Sequence, residues 1–255
     1  MAEVFGFPDL ATALIVLAGF FAAGLAKGTF GLGMPFFGMP VMTAAIPFQT
    51  ALAMFAVPNF TANFQQMLMG GRIVVYVRRF GWLLVTMLAT IPVSVQFLVK
   101  VDQATCLLVF GVLSVAFAGA QMFPMAFTIP PGRERWLNPL VGLGAGALAG
   151  VSGLYGPVLI VYLMALRLPK DDFVAALSLM YFLGSVSLYA ALAVAQVLTP
   201  QVLAASAVGA VIIGVMVYFG QFVRRRIAEE RYRKLILLLL MAIGAEMVWR
   251  ALGSA

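Results

Sequence analysis

The chain alternates long apolar runs with short polar breaks. Apolar stretches occupy Ala11–Ala26, Leu32–Ile46, Phe48–Met69, Trp82–Val99 and Ala104–Phe123. A polar connection containing Pro130, Pro131, Gly132, Arg133, Glu134 and Arg135 follows. The runs then resume at Asn138–Ala149, Leu154–Leu166, Phe173–Leu198, Val202–Val223 and Leu235–Trp249. A helix needs about 20 apolar residues to cross a hydrocarbon core about 30 Å thick. The pattern therefore predicts an all-α polytopic membrane protein with five apolar segments on each side of the connection. The first two segments of each half are short; the 15 residues of Leu32–Ile46 reach only about 22 Å as a helix. These read as broken or re-entrant helices.

Composition closes off the alternatives. Hydrophobic residues make up 64% of the 255 positions and charged ones 10%, against roughly 25% charged in soluble domains. Mean hydropathy is +1.06. A soluble fold cannot hide that much apolar surface, and no stretch remains for a separate catalytic domain. The absence of histidine excludes Ser-His and Cys-His catalysis and histidine metal ligation. The single Cys106 excludes an internal disulfide or a cysteine metal cluster. No cofactor and no metal are expected. The stretch Met1–Leu10 carries Glu3 and Asp9 but no Lys or Arg, so the first apolar run reads as a retained segment, not a signal peptide.

The halves can be laid on each other with a constant shift of 122 positions and no gap. Gly24 falls on Gly146, Gly28 on Gly150, Gly31 on Gly153, Leu32 on Leu154, Pro35 on Pro157, Pro47 on Pro169 and Ala53 on Ala175. Glycine and proline matches carry weight because they specify backbone shape. The expected organisation is a first repeat over 1–128, a cytoplasmic connection over 129–137 and a second repeat over 138–255. The net charge of +7 is read through its distribution: 13 of 16 basic residues fit on the cytoplasmic side at once, which is topology and not a nucleic-acid surface. The loop Gly70–Phe80, the connection, the loop after Leu166 and the loop before the last segment hold them. Both termini then lie outside, the first half starts outside and the second inside. The repeats are inverted, and Gly/Pro-interrupted segments in inverted repeats point to a secondary transporter with a midplane site. The expected location is a bacterial inner membrane, with lipid as the surrounding partner.

The candidate chemistry sits in two Gly-rich stretches, Gly24–Pro35 and Gly146–Pro157. Helical bonding is not expected to run through either, so they read as the tips of two re-entrant hairpins. Freed N–H groups there favour anions. Gly24/Gly28 and Gly146/Gly150 are also small-xxx-small pairs, which let membrane helices approach. Lys27 is the one basic residue inside an apolar run away from a loop; it reads as a positive charge for an anionic substrate or as a residue snorkelling to the surface. Asn59, Asn63 and Gln66 share one helix face, and Ser178, Tyr181 and Ser185 form the shifted face of the second half. Pro58 should kink the first of these helices. Glu246 is the only acid within an apolar run, with Arg250 at partner spacing, so neither a carboxylate proton relay nor a sodium cage is visible. Gly150-Val-Ser152-Gly153 spells a rhomboid-protease motif, but the chain has no histidine base.

Two G-x-x-G motifs followed by proline, about 120 residues apart, resemble the TauE/SafE family of membrane permeases, also called the TSUP or sulfite-exporter family. Lys27-Gly28-Thr29-Phe30-Gly31-Leu32-Gly33 with Pro35 looks like its lysine-containing variant. Tyr155 stands where other members often carry glycine. The resemblance implies transport of small, often sulfur-containing anions: sulfite, thiosulfate or organosulfonates such as sulfoacetate. The expected substrate-binding residues are Lys27, Gly28, Thr29, Gly31, Asn59, Asn63, Gly150, Ser152, Gly153, Tyr155, Tyr181 and Ser185. Protons are the candidate coupling ion. An anion channel on the same fold, a carrier of small organic carboxylates and a non-transporting lipid-binding assembly are the competing readings; the sequence leaves oligomeric state open.

Overall fold

The computed structural model describes residues 7, 9–30, 33–122, 128–130, 132–224 and 229–253. These form eleven helices: α1 (Leu10–Phe30), α2 (Pro35–Met42), α3 (Phe48–Ala53), α4 (Ala56–Gly70), α5 (Ile73–Leu98), α6 (Gln103–Met122), α7 (Glu134–Ser152), α8 (Gly156–Ala165), α9 (Lys170–Val194), α10 (Pro200–Arg224) and α11 (Glu229–Gly253). No strand occurs among the described residues. Five helices are long and apolar enough to cross a membrane, within α1, α5, α6, α9 and α10.

Helix ends follow local chemistry. Asp9 accepts from the Thr12 N–H at 2.6 Å, and Asp102 accepts from the Thr105 N–H at 3.0 Å and its hydroxyl at 2.7 Å. Both are N-caps that satisfy orphan donors. The apolar run Phe48–Met69 is not one kinked helix. It breaks at Met54–Phe55 into α3 and α4, one turn before Pro58, because the proline ring cannot share space with the carbonyl four residues back. The Val57 N–H there donates to the Ser206 hydroxyl at 2.9 Å. The expected basic loop Gly70–Phe80 shrinks to Gly71 and Arg72, both left-handed (φ 58° and 51°). Arg78 and Arg79 ride on α5, which bends at Phe80 (φ −106°, ψ 16°).

The chain divides into two compact units, each drawing helices from both halves of the sequence. Unit 1 comprises Met1–Pro58, Val101–Phe123 and Gln196–Ala255; unit 2 comprises Asn59–Lys100 and Pro124–Ala195.

In unit 1, α1 and α10 run parallel in close contact. Gly24 faces Ile213 and Met216, and Gly28 faces Val217 so closely that a Cβ there would stand 2.2 Å from its carbonyl oxygen. The helices α6 and α11 run antiparallel, with Gly111 against Gly244 and Val248, and Gly244 against Ser114 and Val115. The α2 aromatic Phe36 stacks on Phe117, centroids 5.8 Å apart.

In unit 2, α5 and α7 form a second parallel pair. Gly146 faces Met87 and Thr90, and Gly150 faces Ser94. The Ser94 hydroxyl donates to the Gly146 carbonyl at 2.9 Å. Polar contacts gather the starts of α5, α7 and α9 at one end. Arg79 pairs with Glu134 at 2.7 Å and Arg72 with Asp172 at 3.2 Å, while the Tyr76 hydroxyl donates to Asp172 at 2.6 Å. Buried Asn138 donates to the Arg79 carbonyl at 3.1 Å and accepts from the Tyr162 hydroxyl at 2.6 Å.

The two parallel pairs refine the sequence overlay. Gly24 and Gly146 are 122 positions apart, but their partners Ile213 and Met87, or Met216 and Thr90, are 126 apart. The gapless shift holds for the glycine-rich stretches and not for α5 and α10, where four further residues enter.

Candidate functional site

The glycine-rich stretches are less broken than the sequence suggests. Gly24, Lys27, Gly28 and Thr29 lie inside α1, and Gly146, Gly150 and Ser152 inside α7. These helices have 21 and 19 residues, so their lengths of about 31 and 28 Å approach a full membrane crossing. Of the two, α1 is also apolar enough to cross, and the helices that follow the two breaks, α2 and α8, are short, with 8 and 10 residues. Gly28 and Gly150 serve close packing, against Val217 and Ser94 respectively. Gly31 lies outside the described residues.

In unit 1, Lys27 is half-buried in the last turn of α1, where a cation complements the helix dipole. Thr29 is 4% exposed and packs beside Gly220 of α10. At another place in the same unit, an open cavity of 770 Å³ is lined by Thr43, Asp102, Gln103, Leu107, Trp249 and Arg250. It contains none of the expected substrate-binding residues.

The clean break is in unit 2. Gly153 ends α7 in the left-handed conformation (φ 72°), and its N–H closes on the Ala149 carbonyl at 2.8 Å. The Ser152 hydroxyl donates to Leu148 at 2.8 Å and accepts from the Leu154 N–H at 3.3 Å. It therefore shapes the turn and is not poised as a nucleophile. Then α8 starts at Gly156–Pro157; Pro157 has no N–H and the Leu159 N–H donates to the Tyr155 carbonyl at 3.3 Å, which leaves the Gly156 and Val158 N–H groups of the first turn without an intrahelical acceptor.

Two tyrosines close over this start. The Tyr155 hydroxyl donates to the Tyr181 carbonyl at 3.2 Å. The Tyr181 hydroxyl stands over Gly156, 2.5 Å from where a Cβ would be. Gly184 leaves room for the Tyr155 ring, 3.3 Å from its own Cβ position. Asn59 on α4 donates to the Tyr189 hydroxyl at 2.7 Å. Among the described residues, none accepts the Tyr189 hydroxyl proton and none bonds the Tyr181 hydroxyl. Tyr155 and Tyr189 are each 7% exposed, so donors at such depth want an acceptor.

The structure thus joins Ser152, Gly153, Tyr155 and Tyr181, and separately ties Asn59 to Tyr189 further along α9. It does not bring in Ser185, whose hydroxyl turns back to the Phe182 carbonyl at 2.7 Å. Asn63 is buried on α4 without a described role in the cluster. Tyr189, Gly156 and Gly184 were not singled out from the sequence. Continuing the Ser178–Tyr181–Ser185 stripe by one turn reaches Tyr189. Among the described residues no group of three or more His, Cys, Asp and Glu could hold a metal ion. The arrangement offers neutral donors to an acceptor and no nucleophile–base pair.

The family model for sulfite exporter TauE/SafE matches residues 15–247. The chain belongs to the TauE/SafE sulfite exporter family. No curated protein and no solved structure matches it. TauE/SafE proteins are membrane transporters of sulfite-type anions, so this chain is an integral, multi-pass member of a transporter family, not of an enzyme family.

Proposed function

We propose that this TauE/SafE protein is a secondary carrier in a bacterial inner membrane, moving a small sulfur-containing anion such as sulfite or an organosulfonate. The observation that carries this reading is the Tyr181 hydroxyl donor, without a described acceptor, standing over the start of α8. Oxygens of a sulfite or sulfonate group are the acceptors such a place lacks. First-turn N–H groups and the positive end of α8 add attraction for an anion. In this reading Ser152, Gly153 and Tyr155 hold Tyr181 and the turn in place.

Alternating access of inverted repeats is the proposed mechanism. Its support lies within unit 1: α6 and α11 hold equivalent places in the two halves and run antiparallel in contact, as an axis in the membrane plane requires. The basic starts of α5, α7 and α9, which ion pairs hold at one end of unit 2, are taken as cytoplasmic.

The test is uptake of labelled sulfite into proteoliposomes. A carrier saturates and supports counterflow from preloaded vesicles. Tyr181→Phe should lower uptake about tenfold or more, because a hydrogen bond to a charged group is worth about 1.5–3 kcal/mol. Full uptake by that variant would remove the α8 start from the binding site.

A further inference from the structure

We infer that the seam between α4 and α9 in unit 2 is a contact place for the transported oxyanion, with the Asn63 amide and the Tyr189 hydroxyl as its donors. This rests on the carrier reading, but not on Tyr181 or the start of α8.

Four side-chain contacts define the seam. Gly70 of α4 meets Ala175 of α9 so closely that a Cβ there would stand 2.8 Å from the alanine Cβ. Phe60 and Phe64 each pack on Phe182 with centroids 5.3 Å apart. Asn59 donates to the Tyr189 hydroxyl at 2.7 Å. Rising numbers on α4 meet falling numbers on α9, so the helices run antiparallel along the seam. Asn63 stands four residues after Asn59 and seven before Gly70, spacings that share one helix face. Residues on both sides of it touch α9, so Asn63 faces α9 as well. Level with it is Ser185, four residues before Tyr189.

An amide is a costly choice at this position. From Phe60 to Gly70 only Asn63 and Met67 are buried, and a leucine would fill the same place without a polar group to satisfy. Asn63 is 4% exposed, and no described residue hydrogen-bonds its amide. The serines of the facing stripe do not serve it: Ser185 donates to the Phe182 carbonyl and Ser178 to the Val174 carbonyl, each at 2.7 Å. Tyr189 is buried too, and it accepts from Asn59 without passing its own proton to any described residue. Two amide N–H groups and one phenol O–H on a single seam therefore lack acceptors. Buried polar groups are normally paired, and more strictly so at membrane depth. A substrate that brings several oxygens around one sulfur is an acceptor both side chains can share. A carrier has reason to keep such donors uncommitted, because a permanent partner would compete with the anion at every cycle.

Asn63→Leu separates a binding amide from a structural one. Unfolding temperature is measured in detergent with potassium sulfite, or with potassium chloride as control. Sulfite should raise the wild-type value, since a ligand that binds only the folded form stabilises it. Without sulfite, Asn63→Leu should unfold at the wild-type temperature or above, because an unpaired buried amide has been removed. It should also lose most of the sulfite shift, and its KM for sulfite uptake should rise about tenfold or more, as expected for lost hydrogen bonds to a charged group. Asn63→Ser, which keeps a donor, should recover part of the shift. If Asn63→Leu does not fold, Asn63→Ala is read by its sulfite shift alone. A full shift in either variant, or a folded Asn63→Leu that unfolds well below wild type, would overturn the inference and leave the carrier reading intact. Neither a shift nor uptake with wild-type protein would overturn the carrier reading, and the inference with it.

Discussion

The Tyr155 hydroxyl donates to the backbone carbonyl of Tyr181, and the two rings meet edge to face with centroids 5.3 Å apart at 87°. One tyrosine at the α7–α8 break is thereby fastened to the interior of α9. The other is left with its hydroxyl over the first residue of α8. The pair separates two jobs, anchoring and donating, that substitutions can tell apart.

Tyr155→Phe removes the anchor and keeps the ring. It should raise the KM for sulfite and lower the unfolding temperature slightly, since one interhelical hydrogen bond in a membrane protein averages about 0.6 kcal/mol. Tyr181→Phe should leave the unfolding temperature unchanged, because its hydroxyl bonds no described residue, while uptake falls. Thermal unfolding in detergent and transport kinetics on the same preparations check both. Equal stability loss in the two variants would count against the division.

Close packing sets the second expectation. A Cβ on Gly150 would stand 1.8 Å from the Ser94 Oγ and 2.6 Å from its Cβ, so Gly150→Ala must push α5 from α7. Overpacking of this kind costs about 1–3 kcal/mol. Gly81→Ala, on α5 with nothing within 4 Å, should be neutral. Paired unfolding curves read the difference, and adding Ser94→Gly to Gly150→Ala should recover part of the loss.

Much of this was legible in the chain. Gly146, Gly150 and Gly153 with Pro157 marked the α7–α8 break, because only a few residue types allow close backbone approach or a left-handed turn. Small-xxx-small spacing announced that Gly24/Gly28 and Gly146/Gly150 face a neighbour. It could not say which, and the parallel partners α10 and α5 are long-range choices that no local pattern encodes. Arg78 and Arg79 read as loop because hydropathy cannot distinguish a loop from the polar first turns of α5. Tyr189 escaped because the stripe was followed only to Ser185. Its role comes from Asn59, 130 residues away.

Acid should act through a cap. The Thr105 hydroxyl and N–H hold the Asp102 carboxyl below its ordinary value of 3.8. A depressed folded value means that the stabilisation is present above the unfolded value and is lost as pH falls through the folded one. Unfolding temperature should therefore drop slightly below about pH 4. Asp102→Asn, which still caps, should lose that part of the pH dependence. An unchanged acid limb would show that the Asp102 cap contributes nothing to it.

Energy coupling turns on Lys27. It is half-buried in the last turn of α1, and no carboxylate among the described residues is within ion-pair distance of it. Glu246, the one acid inside an apolar run, is paired with Arg250 on α11. Neither arrangement supplies the carboxylate cluster that would hold Na⁺, so an imposed Na⁺ gradient should not drive uptake. A lysine is left as the one group in α1 able to exchange a proton in step with an anion. Lys27→Met should abolish the dependence of uptake on an imposed pH gradient while leaving the unfolding temperature nearly unchanged. Lys27→Arg should rescue poorly, because a guanidinium is larger and planar. If the lysine only reaches the membrane surface, Lys27→Met will transport normally. If uptake requires Na⁺ and ignores a pH gradient, coupling must instead run through backbone carbonyls at the helix breaks.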